Sequence, residues 1–142
     1  MKQQDFTKRL TIVVRTDIES WQGANTIAHI AGYVGNKLGE AFDTGTYFIT
    51  ADGVELPRNS QYPMIIKAAQ CATDIRDAYD IIRTHDLIHI GFIREMIETS
   101  DDSEIETILK DKKHKDIELL GFGVFGENET VKELTKQFTL WK

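Results

Sequence analysis

Apolar residues fall into two alternating rhythms along this chain. Residues 10–15, LTIVVR, form a near-continuous apolar run, the pattern of a central strand buried on both faces. A polar turn through Thr16 and Asp17 follows. From Ser20 the apolar spacing changes to three and four. Ala24, Ile27, Ala28, Ala31, Val34 and Leu38 make one stripe, and Gln22, Asn25, His29, Tyr33 and Asn36 make a polar one. This predicts a helix capped by Ser20, stopped at Gly39, and buried on its alanine-rich side.

Residues 40–62 carry no helical period. Two short apolar runs, 47–50 and 54–56, flank Ala51-Asp52-Gly53, and Asp-Gly signals a hairpin. A hairpin and loop excursion is therefore expected there, passing through Pro57 to Pro63. Residues 64–68 read as a second core strand, followed by a helix begun at Thr73 or Asp74 with Ile75, Ala78, Tyr79 and Ile82 inward. Residues 87–93 read as a third strand. Ser100 to Ser103 offer caps for a helix bearing Ile105, Ile108 and Leu109. Residues 117–125 make a fourth strand, and a last helix carries Val131, Leu134, Thr135 and Phe138. Leu140 and Trp141 are expected to pack. No repeat or linker interrupts residues 1–142, which read as a single domain. Strands alternating with helices predict a three-layer α/β/α sandwich around a mixed, mostly parallel sheet of four core strands.

Composition narrows the class. A chain of 142 residues, 41% apolar and 28% charged, suits one globular domain. No apolar run reaches the roughly 20 residues that span a bilayer, so no membrane partner is expected. Residues 1–9 lack the apolar stretch of a secretion signal, and the single cysteine, Cys71, excludes an internal disulfide. Both fit a reducing cytoplasm. The net charge of −6 disfavours nucleic acid as a partner. The densest basic cluster, Lys110, Lys112, Lys113 and Lys115, reads as a solvated helix end and loop.

Few motifs bear chemistry. Gly121-Phe122-Gly123-Val124-Phe125-Gly126 matches the spacing of a dinucleotide-binding loop, but that loop must follow a strand and open a helix. Here the large residues between the glycines are themselves the strand, so the glycines mark close approach of neighbouring chain. His85 and His89 lie four apart on different elements. No zinc spacing is present, so neither a metal nor a cofactor is expected. Cys71 reads as a half-buried structural thiol. Acidic residues from Asp101 onward read as the start of a helix, with Ser103 and Glu106 at capping-box spacing. Glu95 and Thr99, nearer the strand end, stay open as site residues. An α/β domain gathers its chemistry where strands end, which points to Arg15, Asp17, Gln22, Asn25 and His29 around the first turn.

These residues resemble a known family. Val13-Val14-Arg15-Thr16-Asp17-Ile18, and the alanine-rich helix through Ala28-His29, resemble the opening motif of type II peptidyl-tRNA hydrolases. Met64-Ile65-Ile66-Lys67 resembles that family's second strand. Ile93-Arg94-Glu95 with Thr99 resembles its V-R-D segment and following threonine, and residues 119–123 resemble its late glycine-bearing strand. The resemblance implies the hydrolase fold over most of the chain, and a dimer. The hydrolase carries a lysine at the start of its first helix. Aligned on His29, that position falls on Gln22, or on Trp21 with a longer gap, and neither supplies the cation. Trp21-Gln22 with Asn25, Glu95 and Thr99 is closer to an uncharacterised bacterial family, domain of unknown function two-thousand, with that same fold.

The site expected from this reading has Asn25, His29, Glu95 and Thr99 as catalytic candidates and Arg15, Asp17, Trp21 and Gln22 as ligand-binding candidates. Arg15 and Asp17 either serve the pocket or pair beneath the turn. His29 is either a proton carrier or a hydrogen-bonded structural residue, and Trp21 either closes the pocket or anchors the helix. Three functions follow. The first is a divergent pocket for a small polar ligand, with hydrolysis as its chemistry if it is an enzyme. The second is a true peptidyl-tRNA hydrolase with a rearranged site, for which tRNA would be the partner. The third is a non-catalytic interaction domain or homodimer with an exposed apolar patch that includes Tyr47, Phe48 and Trp141.

Overall fold

The computed structural model describes residues 4–142. Strand β1 (Lys8–Arg15) leads into helix α1 (Ser20–Leu38), and a hairpin of β2 (Tyr47–Ile49) and β3 (Glu55–Pro57) follows. Strand β4 (Met64–Ala69), helix α2 (Ala72–Ile82) and strand β5 (Ile88–Ile93) come next. Two short helices, α3 (Arg94–Glu98) and α4 (Asp102–Leu109), precede β6 (Leu119–Glu127), α5 (Asn128–Leu134) and β7 (Thr139–Leu140). The main sheet has the order β5-β6-β1-β4-β7, and β2 and β3 form a separate two-stranded sheet. No helix among the described residues is long and apolar enough to cross a membrane.

Alternation on β1 divides the core. Leu10 and Ile12 face α1, with Ile30, Val34, Leu120 and Phe125. Val13 faces the other way, with Ile75, Ala78 and Ile82 of α2 and Val131 of α5. Helices thus cover both faces of the sheet.

The sheet is mixed, but it is not mostly parallel. Only β1 and β4 pair in parallel, and β1–β6, β5–β6 and β4–β7 are all antiparallel. Nor does it stop at four strands, because Thr139 and Leu140 add a fifth at the edge. Counting strand and helix rhythms does not reveal where a strand inserts, and β6 enters between β1 and β5. Its glycines make this possible. A Cβ on Gly121 would lie 2.7 Å from the Val13 carbonyl oxygen and 2.9 Å from the Thr26 methyl, and one on Gly123 would collide with Ile30.

The same contacts rotate α1. Its buried residues are Gly23, Thr26, Ile30 and Val34. Ala24 and Ala28, expected inside, are exposed. Thr26 tolerates burial because its hydroxyl donates to the Gln22 carbonyl at 2.8 Å. Glu19, not Ser20, is the N-cap, in a capping box with Gln22. Gly39 ends the helix with φ of 51°, as its position implied. The hairpin at Asp52-Gly53 is present, with Gly53 at φ of 86°. Helix α3 has no counterpart in the periodic reading, since five residues are too few to show a period. Cys71, read as half-buried, is exposed and caps α2.

Candidate functional site

Strands β1 and β5 are not neighbours, yet both pair antiparallel to β6 and so run in one direction. Their carboxyl ends reach the same edge of the sheet. There α1 begins, and α3 and α4 leave β5. Between α1 and this segment lies an open cleft of about 660 Å³.

Its floor is apolar, made by Ala28, Gly32, Ile90, Phe92, Met96 and Ile105. The rotation of α1 explains the shape. Small residues directed away from the sheet leave a trough where larger ones would fill it. Above the floor, the His29 ring stacks on Phe92 with centroids 5.2 Å apart and planes 22° apart. Asn25, Tyr33 and Asn36 line the α1 wall. Thr99, Ser100, Asp101 and Asp102 line the opposite one. The Thr99 hydroxyl donates to the Glu95 carbonyl at 2.7 Å, which leaves its oxygen able to accept. Asp101 caps α4, accepting from the Ser103 hydroxyl and N–H at 2.7 Å each. Those hydrogen bonds hold its carboxyl below the usual carboxylate range. Among the described residues no lysine or arginine lines the cleft.

Three of the eight candidate residues, Asn25, His29 and Thr99, line this cleft. The other five do not, and four of these have structural partners instead. Arg15 donates to both carboxylate oxygens of Asp17, at 2.8 and 2.9 Å, and to Glu118 at 2.7 Å. Its guanidinium is raised further by the hydrogen bond to Asp17 and then by Glu118, against burial. Asp17 is correspondingly lowered, chiefly by Arg15. Glu118 is shared with Arg94, at 2.9 and 3.1 Å, and is pushed down to about 2, first by Arg94 and then by Arg15, against burial. Arg15 and Asp17 therefore belong to an ion network beneath the turn. Gln22 accepts from the Glu19 N–H at 3.2 Å as part of the helix cap. Trp21 is 61% exposed and closes nothing.

Glu95 departs most from expectation. It is 5% exposed, does not line the cleft, and accepts from Lys112 Nζ at 2.7 Å through Oε1. Its Oε2 has no hydrogen-bond partner among the described residues. Lys112, read as part of a solvated basic cluster, thus holds the segment after α4 to the start of α3. A charge run carries no mark of which member finds a buried partner, so nothing in the sequence singled it out. Tyr33 and Asn36 did carry a signal, since they share the polar stripe of Asn25 and His29. Ile105 read only as an apolar position of its helix, and Met96 was not singled out. His89 accepts or donates through Nδ1 to the Tyr79 hydroxyl at 2.9 Å on the other face of the sheet. Among the described residues no group of three or more His, Cys, Asp or Glu side chains is placed to hold a metal ion.

These features define an α/β domain whose mixed five-stranded sheet opens a cleft at one strand edge. The chain belongs to the family described as protein of unknown function DUF2000, whose model matches residues 8–142. It is also similar to the solved structure of a protein of unknown function from Agrobacterium tumefaciens, at 19% identity and a TM-score of 0.82. That likeness covers 97% of this chain and 100% of the other. No curated protein matches the chain.

Proposed function

We propose that this domain, on a fold resembling type II peptidyl-tRNA hydrolase, binds a small polar ligand in the cleft between α1 and α4. The observation that supports this is the lining: an apolar floor beneath amides, hydroxyls and carboxylates. Ligand sites combine shape-driven burial with a few oriented polar groups in this way. With Asp101 and Asp102 on the rim and no cation among the described lining residues, a phosphate-bearing ligand meets repulsion. A ligand with a flat apolar body and a neutral or positively charged head suits the cleft better. That also argues against peptidyl-tRNA as substrate, whose binding draws on basic side chains.

A thermal-shift screen of small metabolites tests the reading. A true ligand raises the unfolding midpoint of the wild type, by an amount that grows with ligand concentration. It fails to do so for Ala28→Phe, which fills the trough. A compound that shifts both proteins equally binds elsewhere.

Hydrolysis is the second reading, favoured by one feature. The His29 ring stacks on Phe92, has no hydrogen-bond partner among the described residues, and lines the same cleft as Thr99. Once a ligand is found, His29→Asn separates the two readings. Loss of turnover with binding retained marks a hydrolase, and a binding protein shows no turnover in either form. Release of peptide from tRNA is expected to be negligible in both.

A further inference from the structure

We infer that the β2–β3 hairpin is the interface for a second copy of this chain, joined antiparallel along β2 about a two-fold axis through Phe48. The hairpin bears Tyr47, Phe48, Ile49, Val54 and Leu56, each between 48% and 62% exposed. A two-stranded sheet is marginal in water without further support, and this one leaves its apolar side chains uncovered.

The two edges of the hairpin differ. The outer edge of β3 carries Glu55 and Pro57, a charge and a residue without an N–H, which are devices that block strand addition. Strand β2 reads Tyr-Phe-Ile, with no charge, proline or bulge, and among the described residues β3 is its sole neighbour. Thr50 donates to the Val54 carbonyl and Arg58 to that of Thr46. By alternation Phe48 bonds inward to Leu56, its register partner, and the N–H and C=O groups of Tyr47 and Ile49 point to the open edge.

That edge complements itself. Under a two-fold axis at Phe48, Tyr47 of one copy lies opposite Ile49 of the other and exchanges both hydrogen bonds with it. The two Phe48 rings meet in the closely spaced position between them. Every cross-strand pair is apolar, which matters for a chain of net charge −6 meeting its own copy. The five side chains expose roughly 500 Å² per copy, so complete cover of the patch in both copies would reach about 1,000 Å², the lower bound for a specific interface, and edge pairing itself covers the part along β2. The Arg58 guanidinium lies 4.2 Å from the Phe48 ring centroid and would flank the joined rings.

Sedimentation velocity of the full chain over a broad concentration range tests this. The wild type should approach twice the monomer mass as concentration rises. Phe48→Lys, which sets two ammonium groups face to face, should stay monomeric with unchanged circular dichroism. Trp141→Lys, on an exposed aromatic residue outside the hairpin, should dimerise like the wild type. Independently, Phe48→Cys in a Cys71→Ser background should form a disulfide-linked dimer under mild oxidation, because residues paired at that position bring their Cα atoms within disulfide reach. A wild type that stays monomeric throughout, or a Phe48→Lys variant that still dimerises, overturns the proposal. So does a dimer that Phe48→Cys fails to cross-link.

Discussion

Lys112 Nζ lies 2.7 Å from Oε1 of Glu95, seventeen positions earlier, and Glu95 is otherwise buried. The pair ties the chain after α4 to the first turn of α3, so it braces one wall of the cleft. Removing the lysine strands a carboxylate that already has one oxygen unpartnered. Leaving a buried polar group unsatisfied costs about 1–3 kcal/mol. Lys112→Met should therefore lower the denaturant midpoint. Adding Glu95→Gln should recover part of the loss, since a neutral amide suffers less from burial. Equal stability of wild type and Lys112→Met would show that the pair contributes nothing.

The Arg15–Glu118–Arg94 network makes a prediction about acid. Glu118 is held at about 2 in the folded chain, against an ordinary value of 4.5. A depressed carboxylate stabilises the fold above its ordinary value, and that stability drains away as pH falls from 4.5 towards 2. Asp17 is lowered as well and acts in the same direction. Because the Glu118 side chain is 41% exposed, solvent screening limits its share to about 1 kcal/mol. Glu118→Gln should be less stable than wild type at pH 6, with the difference closing below pH 3. A gap that persists at low pH would implicate packing instead of charge.

Two glycines of β6 should respond differently to the same change. A methyl group on Gly123 meets the Ile30 side chain, whereas one on Gly121 meets the Val13 backbone oxygen. Both alanine substitutions should destabilise by about 1–3 kcal/mol, as overpacking does. In an Ile30→Ala background Gly123→Ala should cost much less than in the wild type, because the obstacle is then gone. No side-chain change should rescue Gly121→Ala to the same degree. Urea unfolding of the wild type, the three single variants and the Ile30→Ala/Gly123→Ala double variant checks this.

Gly32 offers the opposite case. It sits inside α1, and a Cβ there would meet nothing within 4 Å. Gly32→Ala should stabilise the helix by about 1 kcal/mol. The added methyl projects into the cleft, so any ligand held against the floor should bind more weakly. Higher stability with unaltered ligand affinity would place the ligand away from this part of the trough.

Local pattern was a sound guide wherever one element answers to its own residues. The apolar run of β1, the inward stripe of α2 and the Asp52-Gly53 hairpin all follow from short-range spacing, and the structure has each of them. Asn25 and His29 could be grouped because four positions on a helix share a face. Thr99 joined them through resemblance to a family pattern, not through periodicity.

Other features depend on contacts between distant segments, which no periodicity encodes. The place of β6 between β1 and β5 set the strand directions, and its glycines drew Thr26 and Ile30 against the sheet. That close approach turned α1 so that Ala28 faces the cleft instead of the core. Charges behaved the same way. Arg15, Asp17 and Glu95 looked like members of a pocket, and Lys112 looked like solvated surface, until folding brought Glu118 beside Arg15 and Lys112 beside Glu95. A side chain's chemistry is written in its own residue, but whether that chemistry stays free depends on which partner the rest of the chain delivers to it.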